Sequence, residues 1–243
     1  MPAAEHTVHA YDDELRRMTN LVLQMGGLVE SQIAAATTAV AQRDSDAAEK
    51  IIGNDAQIDD LEYEVEKLVT KLLALRQPMA IDLRGIIGAL RIAGDLERMG
   101  DLAANIAKRS IALAQTREIE SLWVIPRMAG LVQTMVKEVL DAYVEHDLEK
   151  AEHVWKTDHE VDEMYNSLFR QLLTYMMEDP RNITACTHLL FAAKNLERIA
   201  DHATNMAEVI RYRQTGERSL GERPKADDTA TFSGKAVPAD SEG

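Results

Sequence analysis

Over residues 11–42 apolar side chains recur every three or four positions, the period of a helix with one buried face. The series takes in Leu15, Met18, Leu21, Val22, Met25, Leu28, Val29, Ile33, Ala36 and Val40. Arg43-Asp44-Ser45-Asp46 breaks it and offers a turn and an N-cap, and Glu49, three residues after Asp46, completes a capping-box spacing. A second helix is predicted through Ile51, Ile58, Leu61, Val65, Leu68, Val69, Leu72 and Leu75. Gln77-Pro78 stops it, because the residue before a proline avoids the helical region. A third helix is predicted over about 79–115. The pattern then starts again, with helices over about 121–145, 147–178 and 180–213, and Asp179-Pro180 standing where Gln77-Pro78 stood. Residues 1–10 read as a flexible arm. Residues 214–243, rich in Gly, Ser, Thr, Lys, Asp and Pro, read as a disordered tail.

The second half is a copy of the first. With an offset of 100, Leu90, Ala93, Leu96, Glu97, Arg98, Asp101, Ala103, Asn105 and Ala107 recur as Leu190, Ala193, Leu196, Glu197, Arg198, Asp201, Ala203, Asn205 and Ala207. Upstream the offset becomes 103, laying Asp55 and Asp59 over Asp158 and Asp162. The duplicated unit is therefore a whole three-helix hairpin, not a single helix. The predicted helices run roughly 25 to 37 residues, about 38 to 55 Å at 1.5 Å per residue, and short loops make neighbours antiparallel. The expected fold is all-α: two pseudo-symmetric three-helix bundles, 11–117 and 118–213, in tandem or related by a pseudo-twofold axis.

Composition supports this and narrows the function. The 243 residues are 46% hydrophobic and 5% aromatic, with only 6 prolines, and helix formers dominate the middle of the chain. The formal net charge of −14 repels nucleic-acid phosphates and anionic lipid heads and makes cations the natural small ligands. A single cysteine, Cys186, permits no intrachain disulfide and fits a reducing cytoplasm. No basic stretch followed by an apolar run is found at the N-terminus, and no apolar run approaches the ~20 residues that span a bilayer. The protein is expected in the cytoplasm, reaching the inner face of the membrane only through partner proteins.

Acidic residues are concentrated at the repeated positions. Residues four apart lie on one helix face, so Glu97, Asp101 and Asn105 form a row, as do Glu197, Asp201 and Asn205. Each row continues an apolar line, where two carboxylates repel each other and lose hydration, and a cation relieves both costs. On the preceding helix Asp55 and Asp59 form a second pair, repeated as Asp158 and Asp162. Glu62 extends the first pair, but its counterpart is Tyr165, so it stays outside the candidate set. These hard oxygen donors suit Mg²⁺, Ca²⁺, Mn²⁺ or iron better than Zn²⁺. A lone Glu-x-x-x-Asp is nearly always a surface feature or an ion pair, here with Arg98 or Arg198; the duplication is what favours metal.

The motifs Asp95-Leu-Glu-Arg-Met-Gly-Asp101-Leu-Ala-Ala-Asn105 and Asn195-Leu-Glu-Arg-Ile-Ala-Asp201-His-Ala-Thr-Asn205, with Gln77-Pro-Met-Ala-Ile-Asp82-Leu-Arg84, resemble those of the PhoU family. The resemblance covers about 11–213 and departs where Asp82-Leu83-Arg84 becomes Asn182-Ile183-Thr184, so any role of that turn falls to the first unit. It implies two three-helix bundles and multinuclear metal clusters on the acidic motifs, iron first, with zinc, manganese or magnesium as alternatives. It also implies a regulator rather than an enzyme. Such a protein links the phosphate ABC transporter ATPase to a sensor histidine kinase in two-component signalling, restrains uptake, and keeps the starvation response off. A homodimer is the expected assembly.

Two other classes compete. A carboxylate-bridged di-metal oxidase or storage bundle uses Glu-x-x-His pairs, and no Glu here has His three residues on. His159 and His202 follow Asp158 and Asp201 directly and point about 100° away from the rows. A metal-free scaffold with solvated acids is the third option. No nucleophile with an organised base and no phosphate-binding glycine loop is evident.

Overall fold

A computed structural model describes residues 2–119 and 124–217, with side chains from residue 10 onward. Residues 218–243, most of the predicted tail, and Ser121, the predicted start of the fourth helix, lie outside the described residues. Among the described residues seven helices follow one another: α1 (Pro2–Gln42), α2 (Ser45–Asn54), α3 (Ala56–Arg76), α4 (Ala80–Ala114), α5 (Val124–Glu145), α6 (Leu148–Glu178) and α7 (Ile183–Thr215), with a 3₁₀ turn, Pro180–Asn182, before α7.

Local chemistry explains most of these ends. Arg43 turns the chain with a φ of 56°. Asp44 then caps α2, its carboxylate accepting the Ala47 N–H at 2.9 Å. The cap is thus Asp44, two residues ahead of the expected Asp46, because the left-handed Arg43 leaves Asp44 as the extended residue. The same device recurs in the second unit. His146 has a φ of 58°, and Asp147 caps α6 by accepting from Glu149 N at 2.9 Å and Lys150 N at 3.1 Å.

Three boundaries differ from the sequence reading. The helix expected over about 46–75 is interrupted at Asp55, where Ile58 N–H bonds the Asp55 carbonyl at 2.9 Å in a tighter i+3 turn. Gly53-Asn54, poor helix formers, precede the break; in the second unit the matching positions are Lys156-Thr157, and α6 runs on unbroken. The first helix extends back to Pro2 through residues read as an arm, with Pro at the start, where its missing N–H costs nothing. The last helix begins at Ile183, after the 3₁₀ turn capped by Asp179, and runs to Thr215. There Gly216 supplies the left-handed cap, with a φ of 78°.

The two units, α1–α4 and α5–α7, lie side by side. Helices α4 and α7 form the widest helix–helix contact and run antiparallel. Arg84 Nε, near the start of α4, donates to the Arg213 carbonyl near the end of α7 at 3.0 Å. Midway, His202 Nδ1 meets Asp95 at 2.9 Å, and further along the Arg109 guanidinium sits 4.9 Å from the Phe191 ring centre. This relates the units by a pseudo-twofold axis across α4 and α7. One hydrophobic core runs through both units, from Met18 on α1 through Leu96 and Met99 on α4 to Leu196 and Met206 on α7. Among the described residues no helix is long and apolar enough to cross a membrane.

Close approach of α4 to α7 depends on small residues. A Cβ on Gly88 would lie 3.2 Å from Val209 Cγ1. Gly88→Leu is expected to wedge the helices apart and destabilise by about 1–3 kcal/mol. Gly88→Ala should stay near neutral, its tight contact offset by about 1 kcal/mol of helix propensity. Urea midpoints of the two variants check this, and a Gly88→Leu protein as stable as the parent would show that the contact is slack.

Candidate functional site

In the first unit the carboxylate row of α4 faces α2 and α3. Two glycines make that approach close. Asp55 Oδ1 lies 3.2 Å, and Ile58 Cδ1 2.8 Å, from where a Cβ on Gly100 would stand. Glu62 Oε1 lies 3.6 Å from the corresponding point on Gly94. Acids of α2/α3 therefore rest against the backbone of α4. From α1, Gln32 Nε2 donates to Asp55 Oδ1 at 3.1 Å.

These acids share one field. Burial raises the Glu97 carboxyl above its ordinary range, Arg98 opposes the rise, and Asp101, Glu62 and Asp59 add to it. Asp55 is raised by burial and by Asp101 and Asp59, against the Gln32 hydrogen bond and Lys108. Glu62 is raised by burial, Glu66 and Asp59, against Arg98. Asp55, Asp59, Glu62, Glu97 and Asp101 thus act on one another electrostatically across α2/α3 and α4, Glu62 among them although its counterpart in the second unit is Tyr165. The ion pair weighed as an alternative exists too: Arg98 reaches Glu97 at 3.3 Å and Asp101 at 3.4 Å. Asn105 turns instead to Lys108, its Oδ1 accepting at 3.0 Å.

The second unit is built differently. Asp158, Asp162 and Glu197 are buried at 2%, 3% and 4% exposure, and Asn205 is exposed. Lys194 Nζ lies 3.0 Å from Glu197 Oε1 and 4.9 Å from the Tyr165 ring centre. Glu197 Oε2 is buried without a hydrogen-bond partner. Burial, with Asp201 and Asp162 adding, pushes the Glu197 carboxyl up to about 7 despite Lys194. His202 serves the contact between units through Asp95, and half-exposed His159 pairs with Glu163 at 3.3 Å.

All these side-chain donors are hard oxygens, and in the first unit two acids of α2/α3 lie against the glycine backbone of α4, a donor chemistry that fits a divalent cation. As the side chains lie, no group of three or more His, Cys, Asp or Glu among the described residues converges tightly enough to hold a metal ion. Binding would have to draw the carboxylates inward by rotation about their χ angles.

Sequence reasoning missed Gln32 and Lys194. Gln32 had a signal, a nearly buried amide within the apolar stripe Met25–Val29–Ala36 of α1. Lys194 had only its spacing of three from Glu197.

The raised Glu197 carboxyl fixes a pH dependence. Its ordinary value is 4.5. Between 4.5 and about 7 the native state holds more protons than the unfolded chain, so stability falls as pH rises through that window and levels off above it. At about 1.4 kcal/mol per pH unit the loss across that window is on the order of 3–4 kcal/mol. Asp55, Glu62 and Glu97 act in the same direction. In metal-free buffer, Glu197→Gln is expected to flatten this slope. Denaturant titrations at several pH values measure it, and an unchanged slope would show that Glu197 ionises normally.

The chain is similar to known proteins along most of its length. The PhoU domain model matches residues 22–110 and again 125–210, once in each three-helix unit. A phosphate-specific transport system accessory protein PhoU homolog of Caulobacter vibrioides (strain NA1000 / CB15N) is 52% identical over 92% of this chain and 97% of its own length. The homolog of the same name from Rhizobium meliloti (strain 1021) is 50% identical over 93% and 96%. The crystal structure of PhoU from Pseudomonas aeruginosa superposes with a TM-score of 0.82 at 39% identity, covering 85% of this chain and 100% of that one. Its counterpart from Streptococcus pneumoniae, a phosphate transport system regulatory protein, gives 0.80 at 32% identity over 86% and 99%. With both halves matched by the same domain and relatives similar over nearly their full length, this chain belongs to the PhoU family.

Proposed function

We propose that this chain is an accessory regulator of phosphate-specific transport. It restrains phosphate uptake and keeps the phosphate-starvation response off when phosphate is ample. The observation that carries this reading is its 52% identity to an accessory protein of that system across 97% of the relative's length. The mode of action is that of an adaptor between the transporter ATPase and the sensor histidine kinase. A net charge of −14 favours this route, because such a surface is repelled by DNA and control of transcription then has to pass through a protein contact. The site of action is the cytoplasm, at the inner face of the membrane through those partners, and the working form is a homodimer.

The carboxylate clusters are proposed to bind metal ions, iron first, with manganese, magnesium or zinc as alternatives. The support is the shared field of Asp55, Asp59, Glu97 and Asp101 and the crowding of their charges. A cation would neutralise that charge and tie α2/α3 to α4. The ligands would be Asp55, Asp59, Glu97, Asp101 and Asn105 in the first unit and Asp158, Asp162, Glu197, Asp201 and Asn205 in the second. A di-metal oxidase is not favoured, because the acids form one cluster in each unit rather than a single shared centre.

Deleting the gene is expected to switch on phosphate-starvation genes in phosphate-rich medium, read from a reporter fusion; a reporter that stays silent overturns the regulatory reading. Asp101→Asn combined with Asp201→Asn should lower bound metal sharply while the helical circular-dichroism signal persists. Unchanged metal content would overturn the site assignment.

A further inference from the structure

The two carboxylate clusters occupy matching places in a duplicated fold, yet they are not chemically equivalent. Two substitutions between the repeats separate them. Where the first unit has Gly94, the second has Lys194; where the first has Glu62, the second has Tyr165. In the first unit the space above Gly94 is faced by a fifth carboxylate, with Glu62 Oε1 3.6 Å from where a Cβ would be. In the second unit the same space holds an ammonium group. It lies 3.0 Å from Glu197 Oε1 and 4.9 Å from the ring of Tyr165. The aromatic face that replaces a carboxylate is itself a surface that attracts a cation. Both substitutions point the same way, adding a positive charge and removing a negative one.

We propose that Lys194 is the resident counter-ion of the second unit, standing where a divalent cation would bind in the first, so that cation binding by this chain is carried by the first unit. The proposal rests on the metal-binding reading given above and narrows it from both clusters to the first. Lys194 is tethered one helical turn from Glu197 and packed on the Tyr165 ring, so a free cation competes with a charge already seated there. Its side chain is 37% exposed, and Glu197, which it meets, is nine-tenths buried. Arg98, the cation beside the first cluster, is 62% exposed and spans two acids at 3.3 and 3.4 Å, so it can swing into solvent when a metal ion arrives. Lys194 meets only one oxygen of Glu197. The other, Oε2, is buried without a partner, so removal of the ammonium would leave both oxygens free to take a metal ion.

The test uses the full chain, stripped of metal and titrated with Mn²⁺ alone, bound Mn²⁺ being read by electron paramagnetic resonance. The expected result is that Asp201→Asn binds as the parent does, while Asp101→Asn loses affinity by about tenfold or more. In the Asp101→Asn background, Lys194→Ala should regain Mn²⁺ binding and Lys194→Arg should not. If Asp201→Asn loses as much Mn²⁺ as Asp101→Asn, the inequivalence is overturned and the carboxylate assignment stands. If the parent and every variant bind no Mn²⁺, the metal reading falls and takes this proposal with it. The single Asp201→Asn comparison decides the matter even if Lys194→Ala fails to fold.

Discussion

The architecture depends on one contact, the antiparallel packing of α4 against α7. Each three-helix unit has a long central helix whose apolar side chains extend over more than one face. Leu96, Ile92, Ala93 and Met99 on α4, and Leu196, Ala192, Ala193 and Ile199 on α7, are all buried to within 1%. A helix buried on several faces needs neighbours on several sides, and α1 with α2/α3, or α5 with α6, covers only part of it. Each unit supplies the other's missing wall. The small residues at the crossing, Gly88 above all, let the backbones approach closely enough for one continuous core. The carboxylate rows then occupy the flanks that α4 and α7 turn toward α2/α3 and α6, away from each other. The fold thereby separates the joint that holds the units together from the faces that carry charge.

Much of this was legible in the sequence. The apolar period located the helices, and the 100- and 103-residue offsets showed the duplication and placed the Glu-x-x-x-Asp rows within it. What the sequence left open was the choice between tandem stacking and a twofold arrangement, because a repeat fixes what each unit is but not which way the units face. The break at Asp55 was also hidden, since Gly53-Asn54 lowers helix propensity without forbidding a helix, and the i+3 turn that forms depends on how α2 meets α4. Lys194 was hidden for another reason. A repeat is visible in the positions that agree, and Gly94/Lys194 and Glu62/Tyr165 are positions that differ. Tyr165 was read as a lost carboxylate, whereas in the fold it is the platform under an ammonium group.

That difference bears on how a duplicated acidic site can diverge. Burying several carboxylates side by side costs desolvation and mutual repulsion together, and the cost falls only if protons or cations come in. The first unit keeps its acids partly solvated, braces Asp55 with the Gln32 amide, and leaves Arg98 free to move. The second buries Asp158, Asp162 and Glu197 almost completely, a depth that would be prohibitive for unpaired charges. For Glu197 it is tolerated because Lys194 is built into the same helix and because burial raises its carboxyl to about 7. The two units thus meet one electrostatic problem by different means, an exposed Arg98 bridging two acids in one and a Lys194 ammonium packed over Tyr165 in the other. Since α4 and α7 share one core, a change of charge at either cluster bears on packing common to both units.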